Sequence, residues 1–150
     1  MTSVTLRALR RADEADWQRL WTGYLAHYGT RLPEATFADT FERLLSDDPW
    51  QPHGLVAFDG EAAVGLVHYL FHSHCWRPER SVYLQDLFVA PGTRGRGVGR
   101  ALIEAVFEAA DREGSPHVYW LTKADNATAR LLYDRIADDS GFVVYRRATG

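Results

Sequence analysis

Residues 82–110, "VYLQDLFVAPGTRGRGVGRALIEAVFEAA", constrain this chain more than any other stretch. A run of strand formers leads into glycines at 95, 97 and 99 with arginines between them, and a helix-patterned run follows. Glycine has no Cβ, so a ligand can come close to the main chain there. The helix opening at that loop offers amide N–H groups with no intrahelical acceptor, at the positive end of its dipole. Together these make a phosphate site. Arg94, Arg96 and Arg100 add charge-assisted donors. The alternative is a turn that uses glycine for tightness and arginine for solubility. Three glycines with three arginines, between a strand and an amphipathic helix, favour the anion site.

Two familiar phosphate loops do not fit. A Walker loop needs Gly-Lys-Ser/Thr, and neither Lys nor Ser/Thr follows Gly99. A dinucleotide fingerprint needs G-x-G-x-x-G/A straight after the first strand of a βαβ unit. Here Leu102 occupies the last position, "APGTR" intervenes, and other strands come first.

Elsewhere the hydrophobic spacing predicts a first strand in "VTLRAL" and a helix capped by Asp13, with Trp17, Leu20, Trp21, Tyr24, Leu25 and Tyr28 on one face. Gly29 is its stop, and Pro33 opens a second helix through Phe37, Phe41, Leu44 and Leu45. "GLVAFDGEAAVGLVHYLF" reads as a hairpin around Asp59-Gly60. "HVYWLT" reads as a strand, Asn126 as the cap of a helix carrying Tyr133, and "GFVVYRR" as a closing strand. The fold class expected is α+β (α/β), a mixed central sheet flanked by helices in the order β-α-α-β-β-β-α-β-α-β. No repeat or linker interrupts it, so residues 1–150 are expected to form a single domain.

Composition narrows the function. With 46% hydrophobic and 25% charged residues the chain is globular. A net charge of −3 gives no general attraction for nucleic acid or an anionic membrane, so neither is expected as a partner. The one cysteine, Cys75, excludes an intrachain disulfide framework; with no signal peptide or long apolar run, a cytoplasmic location is expected. "HYLFHSHCW" gathers His68, His72, His74 and Cys75, yet no second ligand pair follows, so no metal is expected.

Arg94, Gly97 and Gly99 meet a third pattern, R-x-x-G-x-G, and here the chain resembles the GCN5-related N-acetyltransferase superfamily over nearly its whole length. The resemblance implies acetyl-CoA as cosubstrate. The loop amides, from Gly95 through Gly97, Val98 and Gly99, would hold the CoA pyrophosphate, while the backbone of Leu87, Phe88 and Val89 pairs with the pantetheine amides. In "NATARLLYDRI" it implies that Asn126 contacts the pantetheine arm and that Tyr133 protonates the leaving thiolate. Seven residues is about two helical turns, so the two would share a face about 10 Å apart along the axis.

"VYLQDLFV" is similar to the diamine and thialysine acetyltransferases, and with "SPHVYW" to the yeast histone/polyamine acetyltransferases. The function implied is direct acetyl transfer to the primary amine of a small molecule: a polyamine, a lysine-like or another amino acid. Protein lysine or N-terminal acetylation, or non-catalytic acyl-CoA sensing, are the alternatives. Where diamine enzymes carry a glutamate proposed as the base, this chain has Gln85, which takes up no proton. Asp86 beside it is the carboxylate left to bind the amine or relay a proton through water. Family strands often bulge here, so alternation does not assign its facing. Acceptor-pocket candidates are Trp21, Tyr24, His27 and Tyr28 with Gln85, Asp86, His68 and Tyr69. Aromatic faces suit an ammonium. Glu34, Asp39, Glu42, Asp47 and Asp48 are read as a solvated helix face rather than an acidic lip. Family members often dimerise, and an open sheet edge near "GFVVYRR" suggests a homodimer.

Overall fold

The computed structural model describes residues 4–93 and 95–149. It divides into two compact units, the first running to Trp120 and the second from Leu121.

The first unit is a five-stranded sheet in the order β1-β2-β3-β4-β5. β1 (Val4–Ala8), β2 (His53–Asp59), β3 (Ala62–His74) and β4 (Arg77–Val89) pair antiparallel in succession; β5 (His117–Tyr119) joins β4 in parallel. The β2–β3 hairpin closes with Asp59 opposite Ala62, and Gly60 takes a φ of +62° in the turn. That left-handed backbone is why glycine stands there.

Helices cover both faces. α1 (Glu14–His27) and α2 (Glu34–Leu44) bring Trp17, Leu20, Phe41 and Leu44 into one core with Leu9, Val56 and Leu66. Trp17 stacks on Trp21 with ring centroids 5.2 Å apart and packs against Phe41 at 5.1 Å. α1 sits so close to β4 that a Cβ at Gly23 would lie 2.8 Å from Phe88 Cζ. α3 (Val98–Arg112) covers the other face. Its Val98, Leu102, Ile103 and Val106 are fully buried, and a Cβ on Gly65 of β3 would stand 3.1 Å from both Leu102 and Val98. Each such side chain contributes about 1.5–3 kcal/mol by leaving water.

Three expectations need correcting. Asp13 does not cap α1 through its side chain; Arg7 of β1 grips it in a bidentate pair at 2.6 and 2.8 Å, and the Arg10 N–H donates to it at 2.8 Å. A bidentate arginine outcompetes the helix amides for that carboxylate. "HVYWLT" gives only the three-residue strand β5. "GFVVYRR" forms no strand: Phe142, Val143, Val144 and Tyr145 are exposed, and no ladder holds the segment. Strand propensity expresses itself only through a paired neighbour.

The second unit holds one helix, α4 (Ala127–Ile136). Asn126 is its N-cap, as its sequence position predicts, accepting from the Ala129 N–H at 3.4 Å.

Candidate active site

The site is built on a register slip between β3 and β4. His68 pairs with Asp86, but Tyr69 pairs with Leu84, so Gln85 is an extra residue on β4: a β-bulge, with its side chain exposed. The bulge puts Tyr83 and Asp86 on the same face, toward α1, although they lie three residues apart. β5 pairs with β4 only at Ser81, Val82 and Tyr83. Past Tyr83, Leu84–Phe88 has no strand neighbour on that side among the described residues. Such an edge can receive an extended chain by main-chain hydrogen bonding.

On the α1 face the bulge completes a buried polar chain. Trp17 Nε1–H donates to His68 Nε2 at 2.9 Å, and His68 Nδ1 lies 2.8 Å from Asp86 Oδ2. His68 is 4% exposed and Asp86 8%, so neither is served by bulk water. Tyr24 of α1 flanks the same carboxylate. Burial, then the Asp86 charge, pushes the Tyr24 phenol well above its ordinary value, so it stays protonated. Tyr83 is pushed the same way by burial, Tyr119 and Asp86.

Aromatic rings surround the carboxylate. Tyr24 packs on Tyr28, which is 43% exposed, at 5.1 Å. Tyr83 stacks on Tyr119 at 5.0 Å. His72 Nε2 lies 2.8 Å from the Tyr119 hydroxyl and fixes that ring. Of the other candidates, Trp21 is buried against Trp17, Phe37 and His68. His27 is exposed beside Tyr28. Tyr69 is on the opposite face: strand alternation turns it away from His68, onto His53 and Phe71. It does not belong to this site.

At the glycine loop, Gly95 and Gly97 have φ of +84° and +79°, and a Cβ on either would meet nothing within 4 Å. The backbone requires glycine, and the space beside it is open. Gly97 is the N-cap of α3, so the amides of Val98, Gly99 and Arg100 begin the helix. Arg96 pairs with Asp59 at 2.8 Å, and Arg100 with Glu104 at 2.6 Å. Arg94 lies outside the described residues. Two of the arginines at this loop are thus tied to neighbouring acids.

In the second unit, Asn126 and Tyr133 sit at the cap and in the second turn of α4. Of the acidic residues of the α2 region, Glu42 pairs with Arg11, Asp39 pairs with Arg43, and Asp48 holds the Trp50 N–H. That is the solvated face the sequence predicts. Among the described residues no group of three or more His, Cys, Asp or Glu is placed to hold a metal ion, and no helix is long and apolar enough to cross a membrane.

Sequence reasoning missed Trp17 as part of the site and missed the link from His68 to Asp86. The one available signal was that Trp17 precedes Trp21 by one turn on the same face of α1.

Comparison with known proteins agrees with this fold. The family model described as "Acetyltransferase (GNAT) family" matches residues 9–137. The chain is 39% identical over 146 residues to the D-amino-acid N-acetyltransferase HPA3 of Saccharomyces cerevisiae, covering 96% of this chain and 90% of that protein. It is 29% identical over 164 residues to the thialysine N-epsilon-acetyltransferase of Mus musculus, covering 97% and 93%. Among solved structures, AAC(6')-Iy in complex with the bisubstrate analogue CoA-S-monomethyl-acetylneamine superposes with a TM-score of 0.83 at 19% identity, covering 99% and 100%. That last likeness concerns the fold.

Proposed function

The chain belongs to the acetyltransferase (GNAT) family, and from that premise we propose that it transfers acetyl from acetyl-CoA directly to the primary amine of a small molecule, of the polyamine, lysine-like or amino-acid class. The observation that carries this reading is Asp86: a buried carboxylate ringed by tyrosines, one residue past the bulge where the β4 edge opens. The names of the two relatives, one acting on D-amino acids and one on thialysine, favour amino acids within that range.

The residues fit acetyl-CoA. The first amides of α3 and the left-handed Gly95 and Gly97 suit the pyrophosphate, the edge of Leu87, Phe88 and Val89 suits the pantetheine, and Asn126 supplies a further amide. The bound cosubstrate supplies an acyl carbon activated as a thioester. Asp86 holds the cationic amine or relays its proton through water, leaving a neutral nitrogen to attack. Tyr133 gives its proton to the departing thiolate. Gln85, exposed on the bulge, is a donor and acceptor at the mouth of the acceptor side.

The family match runs across both units, which supports treating residues 1–150 as one catalytic domain. A homodimer in a reducing, cytoplasm-like compartment completes the reading, supported by the exposed Phe142–Tyr145 segment and by the lone Cys75.

Free-thiol release from acetyl-CoA, measured against separate pools of polyamines, L- and D-amino acids, lysine analogues and histone-tail peptides, tests the proposal. Turnover confined to a small-amine pool is expected. Turnover with peptides alone, or none in any pool from folded protein that binds CoA, overturns it. Gly97→Glu puts bulk and negative charge on a left-handed cap and is expected to abolish CoA binding; unchanged affinity in the folded variant refutes the loop assignment. Tyr133→Phe is expected to lower kcat by more than ~10-fold with CoA affinity retained, since general acid catalysis contributes at least that much.

A further inference from the structure

The polar chain on the α1 face has a direction, fixed by its first member. An indole N–H only donates, so the Trp17 contact at 2.9 Å makes His68 Nε2 an acceptor that bears no proton. The ring proton of neutral His68 then sits on Nδ1, which faces Asp86 Oδ2 at 2.8 Å. A donor at that position fixes the orientation of the carboxylate. Tyr24 flanks the same carboxylate from α1.

We propose that Trp17 and His68, with Tyr24, are positioning residues that hold Asp86 as an oriented carboxylate, and that Asp86 serves as the fixed counter-ion for the acceptor's ammonium group. This rests on the acetyltransferase reading of the site and assigns the part of Asp86 within it.

The same geometry argues against His68 as a second proton store. Protonation at Nε2 would break the Trp17 bond and leave two N–H groups opposed in the core, with no water to take either. A proton leaving the amine therefore has no inward route past Asp86 through His68. It exits along the tyrosine-lined, more open side, where Tyr28 is 43% exposed and Gln85 is exposed. The groups facing Asp86 are His68 from β3, Tyr24 from α1 and Tyr83 from β4, with Tyr28 beyond Tyr24. The groups facing His68 are Trp17 and Trp21 from α1, with Gly54 of β2 approaching the ring edge. None of these named neighbours is a lysine or an arginine.

Two measurements on the full chain test this. The first needs no substrate. Nitrogen-15 spectra of labelled histidine at neutral pH are expected to show His68 protonated at Nδ1 and bare at Nε2, with the proton redistributed in Trp17→Phe. A proton on Nε2 in the wild type overturns the lock.

The second is kinetic. His68→Leu is expected to raise KM for the amine ~10-fold, the scale of a lost hydrogen bond to a charged group, with CoA affinity unchanged. His68→Asn, whose amide N–H can replace Nδ1–H, is expected to recover most of that loss, and Tyr24→Phe to reproduce part of it. In an Asp86→Asn background the His68→Leu effect is expected to fall below ~2-fold, because the residue acts through Asp86. Equal losses in His68→Leu and His68→Asn, or full additivity with Asp86→Asn, refute the positioning role even if the chain acetylates amines. If no amine is turned over, the functional reading has failed, and the spectra still decide the lock.

Discussion

The two faces of β3 and β4 are packed in different ways. The face that α3 covers carries buried Val67, Val82 and Leu84 from the strands and buried Val98, Leu102, Ile103 and Val106 from the helix, a dry, apolar layer. Against α1 the same strands present His68 and Asp86, also buried but joined by hydrogen bonds to each other and to Trp17, with Tyr24 alongside. An apolar layer of that shape would satisfy folding on either side, since buried polar groups must be fully paired merely to break even. The α1 face therefore carries a specification beyond folding. The α3 face supplies rigidity; the α1 face supplies a charge held in one place.

The strongest way to break this contrast is Leu102→Ala on the dry face. Leu102 is fully buried, and its truncation is expected to cost about 2–5 kcal/mol of stability through lost transfer energy and a residual cavity. Urea denaturation should show the loss, and KM for the amine at permissive temperature should stay at the wild-type value. A large KM change with little loss of stability would mean that the two faces do not divide the work.

The converse variant is Asp86→Asn. It preserves volume and removes the charge, and kcat/KM for the amine is expected to fall ~10²-fold, about 2.7 kcal/mol, with only a small change in denaturation midpoint. Unchanged kcat/KM would leave the α1 face with no functional distinction from the α3 face.

This division explains what could be read from the chain beforehand. The dry face is written in periodicity: the apolar positions of residues 98–110 mark α3 and its buried side without further information. The glycine loop is equally local, because left-handed Gly95 and Gly97 leave a compositional trace. The α1 face is not local. Trp17, His68 and Asp86 come together from 51 and 18 residues apart, and only after the Gln85 bulge resets the register. An extra strand residue leaves no mark in an alternation pattern, so Asp86 could be nominated while its orientation stayed open. Arg96 has a neighbour that sequence proximity does not show: the fold brings Asp59 from the β2–β3 turn to pair with it. The closing strand failed for a related reason, since Phe142–Tyr145 has strand-forming residues and no ladder.

His53 is the exception on the dry face, and it gives the smallest and most discriminating test. It stacks on Tyr69 at 5.2 Å and on Phe71 at 5.6 Å edge-on, and its buried Nε2 has no hydrogen-bond partner. Burial holds its imidazole below the ordinary value, with Arg80 acting in the same direction and the Pro49 backbone and Glu113 opposing. The unfolded chain therefore takes up this proton at a higher pH than the folded chain does. Stability from this group is complete above about pH 6.5 and is lost as pH falls toward the folded value. Asp13, held low by its Arg7 hydrogen bonds, adds a separate loss that begins only below about pH 4. His53→Phe keeps the ring stack and removes the titrating group. Melting temperature against pH should lose its slope just below neutrality, keep the acid limb of Asp13, and leave amine turnover intact. A polar group on the α3 face would then affect stability alone, whereas those on the α1 face affect catalysis; a fall in turnover in His53→Phe would show that the dry face reaches the site as well.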